Sequence, residues 1–316
     1  MKLQTKIPLQ KEKNQITYNS SLLLLGSCFV ENIGEKLEYY KFQTVQNPFG
    51  ILFHTLAIES LITRAVTSRE YTKDSIFLHE ERWHCYDAHS ELSSSTPEEL
   101  LEKLNSGLQI TRDQIQKASH IVITLGTAWV YTFLEEKKIV ANCHKVPQKQ
   151  FSKRILSVKE IQESLEHIKL QIKIINKEAI LLFTISPVRH IKDGFLENQQ
   201  SKAHLITAVH EVVKKSGAAY FPSYEIMMDE LRDYRFYKED MVHPNAVAVS
   251  YIWEKFTSVW IAEETQKEMD KVAVVQKGLA HRPFNEKSLK HIAFLKALEK
   301  KKMYLQETYS FMKFTV

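Results

Sequence analysis

Two segments far apart in the chain hold residues able to do chemistry. The first is Gly26-Ser27-Cys28, which closes the apolar run Leu22–Leu25. A short buried strand that stops on glycine and two nucleophilic side chains, with a helix able to begin over Val30–Leu37, is a strand–turn–helix arrangement. Such turns lift an Oγ or Sγ above a sheet edge. Taken alone, a Gly-Ser strand end is explained equally well as a plain turn. The second segment is Asp240-Met241-Val242-His243-Pro244-Asn245. Asp and His three apart can share one short turn, so that the carboxylate holds one imidazole nitrogen and the other faces a nucleophile. The competing reading is a helix start, with His243 in front of a first-turn Pro244. A nucleophile at a strand end and an Asp-His pair together describe acyl chemistry. They do so only if Cys28 Sγ or Ser27 Oγ comes within hydrogen-bond reach of His243.

Such residues need a scaffold to bring them together. Leu22–Leu25, Ile121–Leu125 and Ala179–Ile185 read as buried strands, each followed at once by Gly, Ser or Pro. Between them lie helical patterns over Thr96–Leu108, Ser157–Ile175 and Asn198–Lys215, the second opened by a Ser157/Glu160 capping box. Strands alternating with long helices predict an α/β fold, a three-layer α/β/α sandwich around a parallel sheet. Ligand sites in such sheets lie beyond the carboxyl ends of the strands, where Gly26-Ser27-Cys28, Gly126-Thr127 and Ser186-Pro187 all fall. From Glu264 onward the chain is rich in Lys, Glu and Leu. Ser288–Gln306 has helical spacing, with apolar positions Leu289, Ile292, Leu295, Leu298 and Tyr304. The expected division is an α/β domain over 1–262 and a C-terminal helical extension over 263–316 packed on it.

Bulk properties narrow the function classes. The chain of 316 residues has 43 basic and 38 acidic residues, a modest net charge of +5. Basic residues are scattered, and the cluster Lys300-Lys301-Lys302 with Lys296 fits a solvated helix face, so no nucleic-acid partner is expected. No apolar run is long enough to cross a bilayer, and Met1–Lys6 lacks the apolar stretch of a signal peptide, so none is expected. Three cysteines form no disulfide framework, and a reducing, cytoplasmic setting is expected. Neither a Walker loop nor a Gly-x-Gly-x-x-Gly run is present, so the sequence calls for no organic cofactor. His84-Cys85 and Cys143-His144 bring Cys and His together twice without the Cys-x₂-Cys spacing of structural zinc sites. Pocket lining or core packing is the preferred account, and a Cys/His metal-binding protein is the weakest alternative.

The Gly-x-nucleophile turn with a downstream Asp-x-x-His resembles the SGNH (GDSL-type) hydrolase superfamily. Within it, Gly26-Ser27-Cys28-Phe29-Val30-Glu31-Asn32-Ile33-Gly34 is similar to the motif for which the GSCFA family is named. Asn47-Pro48-Phe49-Gly50, Asn142-Cys143-His144-Lys145-Val146-Pro147, Ser186-Pro187-Val188-Arg189, Tyr220–Glu225 and Asp233–Tyr237 fit the same family, so the resemblance spans roughly residues 20–255. It implies a flavodoxin-like sandwich acting on a small-molecule or acylated substrate, by hydrolysis or transfer of an ester or thioester acyl group. In the superfamily the strand ends Gly-Asp-Ser, which sets Ser27 on the Asp and Cys28 on the nucleophile. Cysteine beside histidine is also readily activated. Asp240 then orients His243, and the Asn47–Gly50 block supplies the oxyanion-hole glycine, Gly50, with Asn47 beside it. The third block, Leu125-Gly126-Thr127-Ala128-Trp129, departs from the pattern. Ala128 stands where an Asn amide belongs, and one such donor is typically worth about 2.7–4 kcal/mol in the transition state. Thr127, Asn142 or a backbone N–H are the candidates to replace it. His144 and Arg189 complete the substrate-binding set, with Arg189 suited to a carboxylate or phosphate. Arg235 is expected to brace the Asp-x-x-His turn through Glu225, Asp233 or a carbonyl. The runner-up is a non-catalytic ligand-binding module on the same fold.

Overall fold

A computed structural model describes residues 4–314. In chain order the elements begin with β1 (Ser21–Gly26), α1 (Phe29–Tyr39), β2 (Gln43–Gln46) and α2 (Thr55–Val66). A hairpin of β3 (Phe77–His79) and β4 (Arg82–His84) precedes α3 (Pro97–Lys117) and β5 (His120–Leu125). Then come β6 (Trp129–Phe133), β7 (Lys138–Val140), β8 (Phe151–Ile155), α4 (Val158–Ile175) and β9 (Ile180–Ile185). The chain continues through α5 (Phe195–Ser216), β10 (Ala219–Phe221) and the single turn α6 (Ser223–Glu225). It closes with α7 (Ala246–Trp260), α8 (Glu263–Leu279) and α9 (Leu289–Thr308).

The central sheet has the order β10-β9-β5-β1-β2, and every pairing in it is parallel. Its inner strands are apolar at successive positions because both faces are covered. In β1, Leu23 and Leu25 point into one core with α2, α3, α4 and α5. Leu22 and Leu24 point into the other, with α1, α7, α8 and α9. Val122 and Leu182 join the second core, while Ile121, Ile123, Leu181 and Phe183 join the first. The result is the three-layer α/β/α sandwich that the alternation of strands and helices predicts, with C-terminal helices added.

Counting only the parallel strands in chain order, the sheet reads 2-1-3-4-5. The direction of winding reverses between β1 and β5, and this is where open α/β sheets bind ligands. An antiparallel three-stranded sheet, β7-β6-β8, closes a small satellite core of Tyr86, Phe133, Val140, Val146 and Phe151. Its short strands left no clear sequence signal.

The C-terminal helix forms, but its buried face differs from the expected one. Leu298 and Leu305 are buried, whereas Leu289 is 85% exposed and Ile292, Leu295 and Tyr304 face outward. The contact with α8 runs along a narrow line at Gly278, where a Cβ would come within 2.4 Å of Leu298 Cδ1. A helix held that way buries one residue every other turn rather than a full stripe.

Candidate active site

The first site element is the turn after β1. Gly26 has φ +132°, and a Cβ there would lie 2.1 Å from Thr124 O, so only glycine lets β1 end this close to β5. Ser27 N–H then donates to Thr124 O (3.0 Å), and Leu52 N–H donates to Gly26 O (3.0 Å). This geometry turns Ser27 inward: it is 0% exposed and its Oγ has no hydrogen-bond partner among the described residues. Cys28 is half-buried, with a free thiol, and occupies the N-cap of α1. Burial and, next, Glu31 push its thiol pKa up, while Lys202, its own backbone N–H and Lys238 pull the other way.

The second element is the loop before α7. Asp240 Oδ1 accepts the N–H groups of Val242 (2.8 Å) and His243 (2.9 Å), and Asp240 Oδ2 pairs with His243 Nδ1 (2.7 Å). Hydrogen bonds from the His243 and Val242 backbones hold the Asp240 carboxyl well below the ordinary range. His243 Nε2 is left without a protein hydrogen bond among the described residues. The helix-start reading of His243 and Pro244 does not hold. Asn245 is the N-cap, its Oδ1 accepting the N–H groups of Val247 and Ala248. Arg189 ties this loop to the end of β9. Its backbone N–H donates to Val242 O (3.2 Å) and its Nη1 donates to Met241 O (3.0 Å). The guanidinium also faces the rings of Phe195, Tyr237 and Tyr234 at 5.2, 5.6 and 5.7 Å. Arg235 pairs with Asp233 at 3.1 Å, one of the braces its position suggests.

The turn and the loop meet at the same sheet edge. Asn32 Nδ2, which donates to Cys28 O (3.3 Å), and Lys238, whose N–H donates to His243 O (2.7 Å), line one cleft together with Pro244. Among the described residues, however, neither Cys28 Sγ nor Ser27 Oγ hydrogen-bonds to His243.

Most of the expected oxyanion donors are occupied. Gly50 N–H donates to Asn47 O (2.7 Å), closing its own turn, and the N–H groups of Gly126 and Thr127 both donate to Phe53 O (2.8 and 3.1 Å). Thr127 Oγ1 accepts Trp129 N–H (3.1 Å) and meets Ser201 Oγ (3.1 Å), and Ser201 Oγ also accepts Ala128 N–H (2.7 Å). Asn142 accepts His144 N–H (2.9 Å), and His144 Nε2 bonds to Cys85 O (2.7 Å), so these two organise the segment after β7. Asn47 behaves differently. Its Oδ1 accepts Gly26 N–H (2.9 Å), while its buried Nδ2 faces the Glu31 carboxylate without a well-formed hydrogen bond among the described residues. An amide donor therefore lies directly beside the Gly26-Ser27-Cys28 turn, next to Glu31.

Two residues at this edge went unnoticed in the sequence. Lys202 of α5 is 1% exposed, and its Nζ donates to Gly126 O (2.8 Å) and Ser186 O (2.7 Å). Burial brings its pKa down to about 7. His190 is packed edge-on against Phe53, and its buried Nε2 has no hydrogen-bond partner among the described residues. Burial and then Lys202 bring its pKa down to about 3. A helical wheel carries the signal for Lys202, which shares a face with the buried Asn198, Ser201, Leu205 and Val209. Among the described residues no group of three His, Cys, Asp or Glu converges to hold a metal ion. His84, a member of the conceivable Cys/His set, instead bonds to Ser93 Oγ and His79 O.

The fold and site define an α/β sandwich with a cysteine at the switch point of its sheet. The sequence pattern of the GSCFA family matches residues 21–256, and that of the GSCFA domain protein, C-terminal domain, matches residues 272–315. The chain belongs to the GSCFA family. No curated protein matches it. No helix of the described residues is long and apolar enough to cross a membrane.

Proposed function

We propose that this protein is an SGNH-type hydrolase or acyltransferase in which Cys28 attacks an ester or thioester carbonyl. His243, oriented by Asp240, takes and returns the proton, and Asn47 Nδ2 with the Cys28 N–H receives the oxyanion. The Asp240–His243 pair carries this reading. A carboxylate on Nδ1 fixes the imidazole so that Nε2 is the working nitrogen, and Arg189 fastens the pair to the sheet edge that presents Cys28. Cys28 Sγ and His243 do not hydrogen-bond among the described residues, so the reaction requires the Asp240 loop to close onto the turn when substrate binds. The accessible Cys28 and the enclosed Ser27 support the cysteine as nucleophile. Three free cysteines fit a reducing, cytoplasmic setting.

The occupied N–H groups of Gly50, Gly126 and Thr127 favour a second reading, a ligand-binding module without turnover. A panel of acyl esters and thioesters separates the two. Turnover that disappears in Cys28→Ala and persists in Ser27→Ala supports the enzyme. No turnover by a folded wild type, with no acyl-enzyme mass at Cys28, leaves the binding module.

A further inference from the structure

Helix α9 buries two of its side chains, Leu298 and Leu305. On a helical wheel Leu289, Ile292, Leu295 and Met303 form a second apolar stripe turned away from that pair. Every residue from Ile292 to Ala297 is exposed. The connection from α8, residues 280–288, adds Phe284, which stands fully in solvent. His281 in that connection rests on Phe294 of α9, with ring centroids 5.5 Å apart, so connection and helix form one surface. The same stretch is strongly basic. Residues 277–302 hold eight Lys or Arg and two Glu, a net of +6, whereas the whole chain nets +5. Of the eight, only Lys302 pairs with a carboxylate among the described residues, Glu299 at 3.3 Å. Lys296 falls within the apolar stripe, and Lys300 and Lys302 border it. Long lysine stems can lie along apolar surface there with the ammonium in water.

We propose that this face, formed by the connection and the first half of α9, docks on an anionic phospholipid surface. Phe284, Leu289, Ile292 and Leu295 enter the boundary between headgroups and acyl chains, while the lysines around them meet anionic headgroups. Single exposed apolar residues are ordinary on a protein surface. A stripe of them within a basic helix is the pattern that seats at a charged bilayer surface. Charge argues against a second copy of this chain as the occupant, since pairing would bring two +6 surfaces together. Nucleic acid would satisfy the lysines but leave the large apolar side chains unused. The helix lies in the plane of the surface and does not span it, since no helix of the described residues is long and apolar enough to cross a membrane. The inference stands apart from the acyl-transfer reading and uses none of its residues.

The test is co-sedimentation of the full chain with vesicles of phosphatidylcholine, alone or mixed with phosphatidylglycerol. Wild type is expected to pellet with the mixed vesicles at low salt and to be released as salt screens the charges. Binding to phosphatidylcholine alone should be at least about tenfold weaker. Phe284→Ser combined with Leu289→Ser, and Lys296→Glu combined with Lys300→Glu, should each weaken binding about tenfold or more. All four side chains are exposed, so both variants should keep the wild-type melting temperature. Lys149→Glu with Lys177→Glu makes the same change of net charge elsewhere on the surface and should bind like wild type. A folded wild type that does not pellet with the mixed vesicles overturns the proposal, as does equal binding by all the variants. Binding lost in the lysine variant but kept in the apolar one overturns the seated helix. Self-association abolished by Phe284→Ser with Leu289→Ser, without vesicle binding, assigns the face to a second copy instead. Retention on duplex DNA without vesicle binding assigns it to nucleic acid.

Discussion

The turn after β1 and the loop before α7 supply the two halves of one candidate site by opposite physical means. The turn is fixed by the core. A glycine without alternative, a strand-end hydrogen bond to Thr124 O and a fully enclosed Ser27 leave it a single conformation. Its ionisable groups are governed by burial, which raises Cys28 and lowers Lys202 and His190. The loop is solvated and governed by hydrogen bonds, which hold Asp240 ionised. Backbone contacts with Lys238, Phe236 and Arg189 hold it in place rather than a core of its own. The contrast shows which half is preset and which is adjustable. The Cys28 side is built during folding and the Asp-His side is the adjustable one, which in the proposed reaction closes onto Cys28.

That contrast can be broken at either end. The largest effect is expected from Gly26→Ala, whose Cβ would collide with backbone. We expect a loss of at least about 3 kcal/mol or failure to fold, read by thermal and urea unfolding; a stable variant contradicts the preset turn. Asp240→Asn is expected to leave the melting temperature near wild type and to lower kcat by about 10²–10⁴-fold through loss of the orienting charge. An equal loss of stability would mean that the loop is structural. In the wild type the depressed carboxyl stays charged as pH falls. The Asp240 contribution is therefore full above the ordinary value near 3.9 and fades only below it.

Acid should act on the buried half sooner. His190 at about 3 and His54 and His144 at about 4 stay neutral when folded, while the unfolded chain takes up protons near 6.5. Stability is then level above about 6.5 and declines toward pH 4, because the unfolded state binds more protons. A flat melting temperature between pH 7.5 and 4.5 would speak against this. The smallest effect is expected from Arg189→Met, which loosens the loop: kcat falls about tenfold, with less than about 1 kcal/mol of stability lost. A change in KM alone would instead assign Arg189 to substrate binding, the role its position in the sequence suggested.

The readable parts of this protein are those in which local chemistry and tertiary need agree. Leu22–Leu25 is apolar on both faces and lies within β1 (Ser21–Gly26), and the Ser157/Glu160 capping box opens α4 as expected. Asp240 and His243 share a turn because three residues suffice to bring them together. Gly50 and Thr127 illustrate the limit. Their spacing fits an oxyanion hole, yet their N–H groups close local turns and a contact with Phe53, which no pattern of residue types records. The outward-facing Leu289, Ile292 and Leu295 show the same limit for packing.

The three inner strands of the sheet, the long helices between them, the glycine turn and the Asp-His pair were legible in the residues, because each depends on neighbours within a few positions. Packing of the whole chain turns Ser27 inward while Cys28 stays accessible. It also sets the Asn47 amide beside them, next to Glu31, and brings Lys202, on a distant helix, between two strand-end carbonyls. Burial and hydrogen-bond vacancy belong to the packed whole, and they set which of the candidate groups can hold or release a proton.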